Sequence, residues 1–150
     1  VNEYAQEKLF NPIGINPISW TKFGGVSYLI VMTPEDMARF GYLYLNNGNW
    51  NGKQVVPREW VRESTKAYTV HTQGRSAYGY QWWIVPTGGK YSYRAVGLGG
   101  QFVVVVPELD LVIVRTARVT YPLQDNHILS MHEFPEFDLI AEAVNKTVEK

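Results

Sequence analysis

The sequence contains no cysteine, and this absence limits the chemistry that the chain can carry out. A disulfide framework, a thiolate metal site and a cysteine nucleophile are all excluded. Cytosolic proteins fit this composition, and so do periplasmic or secreted proteins that need no disulfide. The absence therefore narrows the kind of site and leaves the compartment open.

An excess of one charge, a long apolar run and clustered histidines are also lacking. The 14 Lys and Arg residues balance the 14 Asp and Glu residues, which gives no electrostatic basis for binding nucleic acid or an anionic membrane. No apolar run reaches the roughly 18 residues of a membrane helix, so we expect no membrane span. His71, His127 and His132 lack the spacing of a zinc site, and nothing in the sequence indicates a metal or an organic cofactor.

Four segments are predicted to be helical. The clearest start is at Thr33, which can cap the helix, because Pro34 suits the first helical position and Asp36 follows three residues after the cap. This helix ends at residues 46–48. The others are Tyr4–Phe10, followed by a Pro/Gly-containing loop to about Val26; Arg58–Thr65, with Trp60 and Val61 buried; and a C-terminal helix with the apolar stripe Phe137, Ile140, Ala141, Val144 and Val148.

The strands come between the third and fourth helices. Residues 102–106 are apolar without alternation, which indicates a strand covered on both faces. Residues 111–114 form the next strand, antiparallel to it, and Tyr80–Val85 and Tyr91–Leu98 are the other candidates, separated by a turn at residues 87–90. We therefore predict an α+β fold of the α/β-sandwich type, with helices packed on an antiparallel sheet of three or four strands.

The length of 150 residues suits one domain or a large part of one. The chain begins with Val1 rather than Met, and we interpret it as the C-terminal part of a longer protein.

Several short motifs occur together in a characteristic order. None of these motifs is specific alone, but their order and spacing along residues 9–107 make the whole set specific. They are Leu9-Phe10-Asn11-Pro12-Ile13-Gly14, Met32-Thr33-Pro34-Glu35-Asp36-Met37, Trp50-Asn51-Gly52-Lys53, Tyr78-Gly79-Tyr80-Gln81-Trp82-Trp83 and Gly97-Leu98-Gly99-Gly100-Gln101. In this respect the chain resembles the later part of the β-lactamase-related serine hydrolases, which include class C β-lactamases, penicillin-binding proteins, family VIII esterases and 6-aminohexanoate-dimer hydrolases.

The resemblance implies an incomplete β-lactamase-like domain. The family uses a Ser-x-x-Lys nucleophile element, a Tyr-x-Asn or Ser-x-Asn element and a Lys/His/Trp-x-Gly strand, in that order. The first two precede the segment at residues 12–14, so only the third is expected here, at Gly97-Leu98-Gly99. The backbone N–H of Leu98, flanked by Gly97 and Gly99, is the candidate oxyanion-hole donor. The alternative is a glycine-rich bulge without a catalytic role.

Several other residues are candidates for substrate binding. Ala95 or Val96 stands where the family often has Lys, His or Trp, which favours an esterase or amidase over a penicillin-type carboxylate site. Gln101, next to Gly100, could bind substrate or fix the loop. Tyr80 and Trp82 could line a cleft or pack in the core.

Two segments match catalytic motifs formally. Ser19-Trp20-Thr21-Lys22 fits Ser-x-x-Lys, but it is expected in a loop rather than at the start of a core helix, where a catalytic serine needs its lysine one turn away. Tyr44-Leu45-Asn46 fits Tyr-x-Asn, but it lies near the end of a predicted helix. We interpret both as chance matches, so this chain lacks the nucleophile.

The resemblance implies that the parent hydrolyses ester, amide or β-lactam bonds of a small molecule through an acyl-serine intermediate. It also favours a periplasmic or secreted protein, although a cytoplasmic one is compatible. The alternatives are a non-catalytic binding domain and an inert fragment. Because the family sheet includes strands from the N-terminal part, we expect an unpaired edge, and with it a partner piece or self-association.

Overall fold

A computed structural model describes residues 2–23, 27–71, 76–97, 99–118 and 134–148. Four α-helices occur in these ranges: α1 (Asn2–Ala5), α2 (Pro34–Leu45), α3 (Arg58–Ser64) and α4 (Pro135–Val148). A short π-helix (Gln6–Phe10) and a 3-10 helix (Asn11–Ile13) continue α1. The predicted N-terminal helical segment is therefore confirmed.

In the part of the chain that the structure describes, ten strands form one large antiparallel sheet and two small hairpins. The sheet has six strands in the order β10-β9-β8-β7-β6-β5, and the hairpins are β1-β2 and β3-β4. The strands are β1 (Ser19–Phe23), β2 (Ser27–Val31), β3 (Asn49–Trp50), β4 (Lys53–Gln54), β5 (Thr69–His71), β6 (Ser76–Tyr78), β7 (Trp83–Ile84), β8 (Tyr93–Gly97), β9 (Gln101–Val106) and β10 (Leu111–Arg115).

The α+β class and the antiparallel sheet are confirmed, but the sheet is larger than the three or four strands expected. Strands β5, β6 and β7 contain only two or three residues each, which is too short to show an alternating pattern. The predicted strand over Tyr80–Val85 shrinks to Trp83–Ile84 because Gln81 adopts a positive φ of 65°.

The cap predicted for α2 is present. The hydroxyl oxygen of Thr33 accepts a 3.1 Å hydrogen bond from the backbone N–H of Asp36, and the hydroxyl donates to the Asp36 carboxylate. Pro34 occupies the first turn, where a missing N–H costs nothing. Local chemistry therefore fixes the start of the helix that covers one face of the sheet.

Strand β9 is the centre of the core, and both of its faces are covered. Phe102, Val104 and Val106 pack with α4, including Phe137 and Ala141. The alternate residues Val103 and Val105 pack on the other face with Tyr44 of α2. The strand predicted to be covered on both faces is thus confirmed, and the helices lie on opposite sides of the sheet.

Three predictions about individual residues were wrong. Ser19–Phe23 is a strand rather than a loop, because it pairs with residues 27–31. Trp60 is 49% exposed, since Val61 and Ser64 form the buried side of the short helix α3. Ile140 is exposed because it lies at the border of the α4 stripe, whose buried residues are Phe137 and Ala141.

Candidate active-site turn

The glycine turn, defined by Gly97, Gly99 and Gly100, lies between β8 and β9. Gly97 ends β8 and pairs across the sheet with Gln101, the first residue of β9. Gly99 and Gly100 have φ values of +72° and +87°, a backbone conformation that L-residues with a Cβ rarely adopt. Leu98, the predicted oxyanion-hole donor, lies outside the described residues. The glycines therefore form a tight connection between the two strands. This connection fits both roles considered for the segment, and the donor role of Leu98 stays a prediction.

Gln101 holds the neighbouring segment in place. Its side-chain Nε2 donates to the carbonyl of Ala117 at 2.6 Å, and its Oε1 accepts from the Ala117 N–H at 3.1 Å. Both polar atoms of the side chain therefore bond to the backbone that follows β10. Of the two roles weighed for Gln101, this geometry favours fixing the loop.

Arg115 contacts the glycine turn from the end of β10. Its Nη1 donates a 2.7 Å hydrogen bond to the carbonyl oxygen of Gly100. The same guanidinium lies 4.7 Å from the centre of the Phe134 ring, and its Nε is 3.5 Å from a carboxylate oxygen of Glu136. Sequence reasoning missed this residue, because an arginine after an apolar strand carries no motif that marks it.

Tyr80 and Trp82 have different environments. Tyr80 is 47% exposed, and its ring stacks on that of Tyr68 with 4.8 Å between centroids. Trp82 is 3% exposed and packs against Phe40 and Tyr44. The expectation that Trp82 lines a cleft is therefore wrong, because a core side chain offers no surface to a substrate.

The strand register places Tyr80 at the same end of the sheet as the glycine turn. Trp83 pairs with Arg94, and Ile84 pairs with Tyr93, so descending numbers in β7 run alongside β8 towards Gly97. The turn that carries Tyr80 precedes β7 and thus lies at that end. Trp60 adds a third ring, with its centroid 5.6 Å from that of Tyr80.

A buried cation lies on β8 below the glycine turn. Arg94 is buried, and its guanidinium donates a 2.8 Å hydrogen bond to the hydroxyl of Thr87 and lies 5.4 Å from the Phe137 ring. Burial lowers the pKa of Arg94 to about 10, and the carboxylate of Asp138 opposes this shift. Through these contacts Arg94 holds β8 against α4, and its guanidinium is not directed at the glycine turn.

The two formal motif matches have no catalytic geometry. Ser19 and Lys22 are three residues apart in strand β1, so their side chains leave opposite faces. Tyr44 is buried in the aromatic core, and the side-chain amide of Asn46 bonds to the carbonyl of Tyr42 at the end of α2. This geometry agrees with the interpretation of both as chance matches, although Ser19 lies in a strand and not in a loop.

The described ranges contain no group of three or more His, Cys, Asp or Glu side chains that could hold a metal ion. Within the same ranges, no helix is long and apolar enough to cross a membrane.

Comparison with known proteins defines the family. The beta-lactamase family model matches residues 3–134, which is most of the chain. The chain therefore belongs to the beta-lactamase family. The predicted resemblance to β-lactamase-related serine hydrolases is confirmed.

Two relatives are much longer than the segment that this chain matches. An uncharacterized protein of Alkalihalophilus pseudofirmus is 28% identical over 127 residues, covering 77% of this chain and 38% of that protein. A candidate 6-aminohexanoate-dimer hydrolase from Bacillus anthracis has a similar structure, with a TM-score of 0.70 and 25% identity, covering 95% of this chain and 38% of that one. The chain thus spans well under half the length of both.

Proposed function

We propose that the parent of this chain is a serine hydrolase that cleaves ester, amide or β-lactam bonds, and that this chain supplies the turn beside its reacting carbonyl. The observation that carries the proposal is the glycine turn, with two consecutive positive φ angles at the end of β8, in a chain of the beta-lactamase family. Such a turn lets backbone N–H groups approach a substrate closely, because no Cβ intervenes.

The chemistry is acyl transfer in two steps. A serine oxygen of the N-terminal part attacks the carbonyl carbon, and its proton passes through lysine and tyrosine side chains of that part to the departing alcohol or amine. Water then attacks the acyl-serine ester and releases the acid and the free serine. Negative charge on the carbonyl oxygen develops in both steps, and the Leu98 N–H, between Gly97 and Gly99, is proposed as one of two donors to it.

Substrate contacts are proposed at the surface next to this turn. Gly100 is part of the turn, and Tyr80 presents a half-exposed ring at the same end of the sheet. Gln101 is proposed to act indirectly, because its side chain is occupied with Ala117. The substrate would therefore meet the aromatic surface of Tyr80 at this end of the sheet. An esterase or amidase is proposed because Ala95 or Val96 stands where the family often has Lys, His or Trp.

A fluorescent serine-directed phosphonate tests the proposal, with intact mass measured before and after labelling. A full-length parent that gains the mass of one probe, while the 150-residue chain gains none, is the expected result. A full-length parent that neither a phosphonate nor a penicillin probe labels would contradict the hydrolase. Labelling of the 150-residue chain itself would assign a nucleophile to Ser19 or another residue described above.

Strand β10 is proposed to pair with a strand from the missing N-terminal part. In the described ranges it ends the sheet, with β9 as its neighbour. Both faces of the sheet are already covered beside it, by α2 and by α4. An edge with covered faces and unpaired backbone groups is a template for another strand.

Sedimentation of the 150-residue chain tests this pairing. The chain alone should self-associate with rising concentration, and adding the N-terminal part should replace that association by a one-to-one complex. A chain that stays monomeric and does not bind the N-terminal part would contradict a free edge at β10.

A second candidate is a binding domain without catalysis. It shares one observation with the hydrolase: Ala95 or Val96, each partly packed against a core cluster, stands where the family often has Lys, His or Trp. Because this departure also suits an esterase or amidase, the sequence of the N-terminal part decides between the two candidates. An intact Ser-x-x-Lys element upstream, together with turnover by the full-length protein, would exclude this candidate and also an inert fragment.

A further inference from the structure

We propose that Arg115 is a positioning residue for the glycine turn, and that it makes the geometry of this turn depend on the seating of the C-terminal helix α4. The proposal rests on the proposed function, because the turn matters for catalysis only if it holds an oxyanion donor. Its structural part, the control of the turn by Arg115, stands independently.

The first step is the bond from Arg115 to the turn. Gly100 follows Gly99, whose φ is +72°, and its own φ is +87°, so glycine at both positions leaves the backbone many conformations. The carbonyl of Gly100 accepts a 2.7 Å bond from the guanidinium of Arg115. A peptide unit is planar and trans, so holding the Gly100 carbonyl also fixes the direction of the Gln101 N–H in the same unit.

The second step is the strength of this bond. The donor is a cation, and bonds from charged donors are shorter and stronger than those between neutral groups. The Arg115 side chain is 31% exposed, so water competes with it only in part. Gln101 adds a second bridge, because its bonds to Ala117 keep the end of β10 beside the turn.

The third step links Arg115 to α4. Glu136 lies in the first turn of α4, and Phe134 directly precedes that helix. The guanidinium contacts the Glu136 carboxylate and the Phe134 ring while it holds Gly100. A shift of the start of α4 would therefore move the guanidinium and release or reorient the turn.

Three variants separate positioning from general stability. Arg115→Met removes the donor and keeps an unbranched apolar stem, whereas Arg115→Lys restores a cationic donor. Arg62→Met is the matched control, because Arg62 also pairs with glutamate side chains, Glu59 and Glu63, but does so on α3. Thermal unfolding of each variant shows whether the fold is retained.

The first readout is independent of activity. In ¹H–¹⁵N spectra of the 150-residue chain, Arg115→Met should shift the amide signal of Gln101 and make the amides of Gly99 and Gly100 exchange about fivefold faster. Arg115→Lys should restore most of the original signal, and Arg62→Met should change neither. An unchanged Gln101 signal in Arg115→Met, or a wild-type turn without protection, would overturn the proposal.

The second readout uses the full-length parent. Acylation of its serine should slow about tenfold in Arg115→Met with KM little changed, since the turn acts on the transition state. Arg115→Lys should recover most of the rate. If the spectrum of Arg115→Met changes but the wild-type parent is unreactive, only the hydrolase proposal is contradicted. If that spectrum changes but the acylation rate of the Arg115→Met parent does not, only the positioning role in catalysis is contradicted.

Discussion

The backbone N–H of Gly88 donates a 2.6 Å hydrogen bond to a carboxylate oxygen of Asp138, which joins the turn between β7 and β8 to helix α4. The contact is close, because a Cβ added at Gly88 would lie 2.8 Å from the Cβ of Ala141. Helix and turn therefore approach each other at a position where any side chain larger than hydrogen would intrude.

Gly88→Ala and Gly89→Ala form a matched pair for this contact. Both glycines have positive φ, +57° and +72°, so each alanine should cost about 1 kcal/mol of backbone strain. Only Gly88→Ala adds a steric clash with α4, which should cost about 1–3 kcal/mol more. Urea unfolding of both variants measures the difference, and equal losses would show that α4 does not pack here.

Two tryptophans should respond very differently to truncation. Trp82→Ala removes a side chain at the centre of the aromatic core and should cost about 3–5 kcal/mol of unfolding free energy. Trp60→Ala removes a half-exposed ring and should cost about 1 kcal/mol or less. Chemical unfolding monitored by far-UV circular dichroism compares them, and a larger loss for Trp60 would contradict the burial described above.

Tyr93 should make a destabilising contribution at alkaline pH. Burial raises the pKa of this phenol, and the neighbouring Tyr91 and Tyr44 add to the shift. Above the ordinary value of 10.0, the unfolded chain ionises Tyr93 while the folded chain does not, so the stabilisation present below pH 10 is lost as pH rises. The slope is about 1.4 kcal/mol per pH unit for one such group.

The variant Tyr93→Phe isolates this effect in melting curves between pH 9 and 11. It should reduce the loss above pH 10, whereas Tyr4→Phe, at a position 71% exposed, should leave it unchanged. Arg94 acts in the opposite direction, because its lowered pKa of about 10 favours folding as pH rises towards the ordinary value of 12.5. Comparison of variants at the same pH cancels that contribution, and identical slopes for Tyr93→Phe and wild type would refute the prediction.

Thr33 should contribute to stability through its cap. Thr33→Ala leaves the Asp36 N–H without its acceptor and should cost about 1 kcal/mol, whereas Thr33→Ser keeps the hydroxyl and should cost much less. Thermal unfolding measures both. If serine and alanine were equally destabilising, the loss would come from the methyl group and not from the cap.

The parts of the fold that follow from local chemistry could be predicted. The run of valines in β9 predicted a strand covered on both faces, and Thr33-Pro34 predicted the start of α2. The hairpin β1-β2 could not be predicted in the same way. Residues 19–23 show no strand pattern of their own, and they form a strand because they pair with residues 27–31, beginning with Ser19 and Val31.

The sequence indicated the glycine-rich segment but not the contacts that support it. The glycines predicted a bulge or a close approach of the backbone to a substrate, and the structure shows the positive φ of residues 99 and 100. Arg115 could not be assigned to it from sequence, because its contact with Gly100 depends on how β9 and β10 are paired. The burial of Trp82 and the exposure of Tyr80 likewise depend on the positive φ of Gln81, which no motif indicates.

The family match ends at residue 134, whereas the helix that closes one face of the core begins at residue 135. A recombinant product trimmed to the matched segment would lack Phe137 and Ala141, which cover Phe102 and Val104. Its sheet would present an apolar face to water, and such a surface favours aggregation. For expression, the useful boundary of this unit is therefore set by α4 and not by the extent of family similarity.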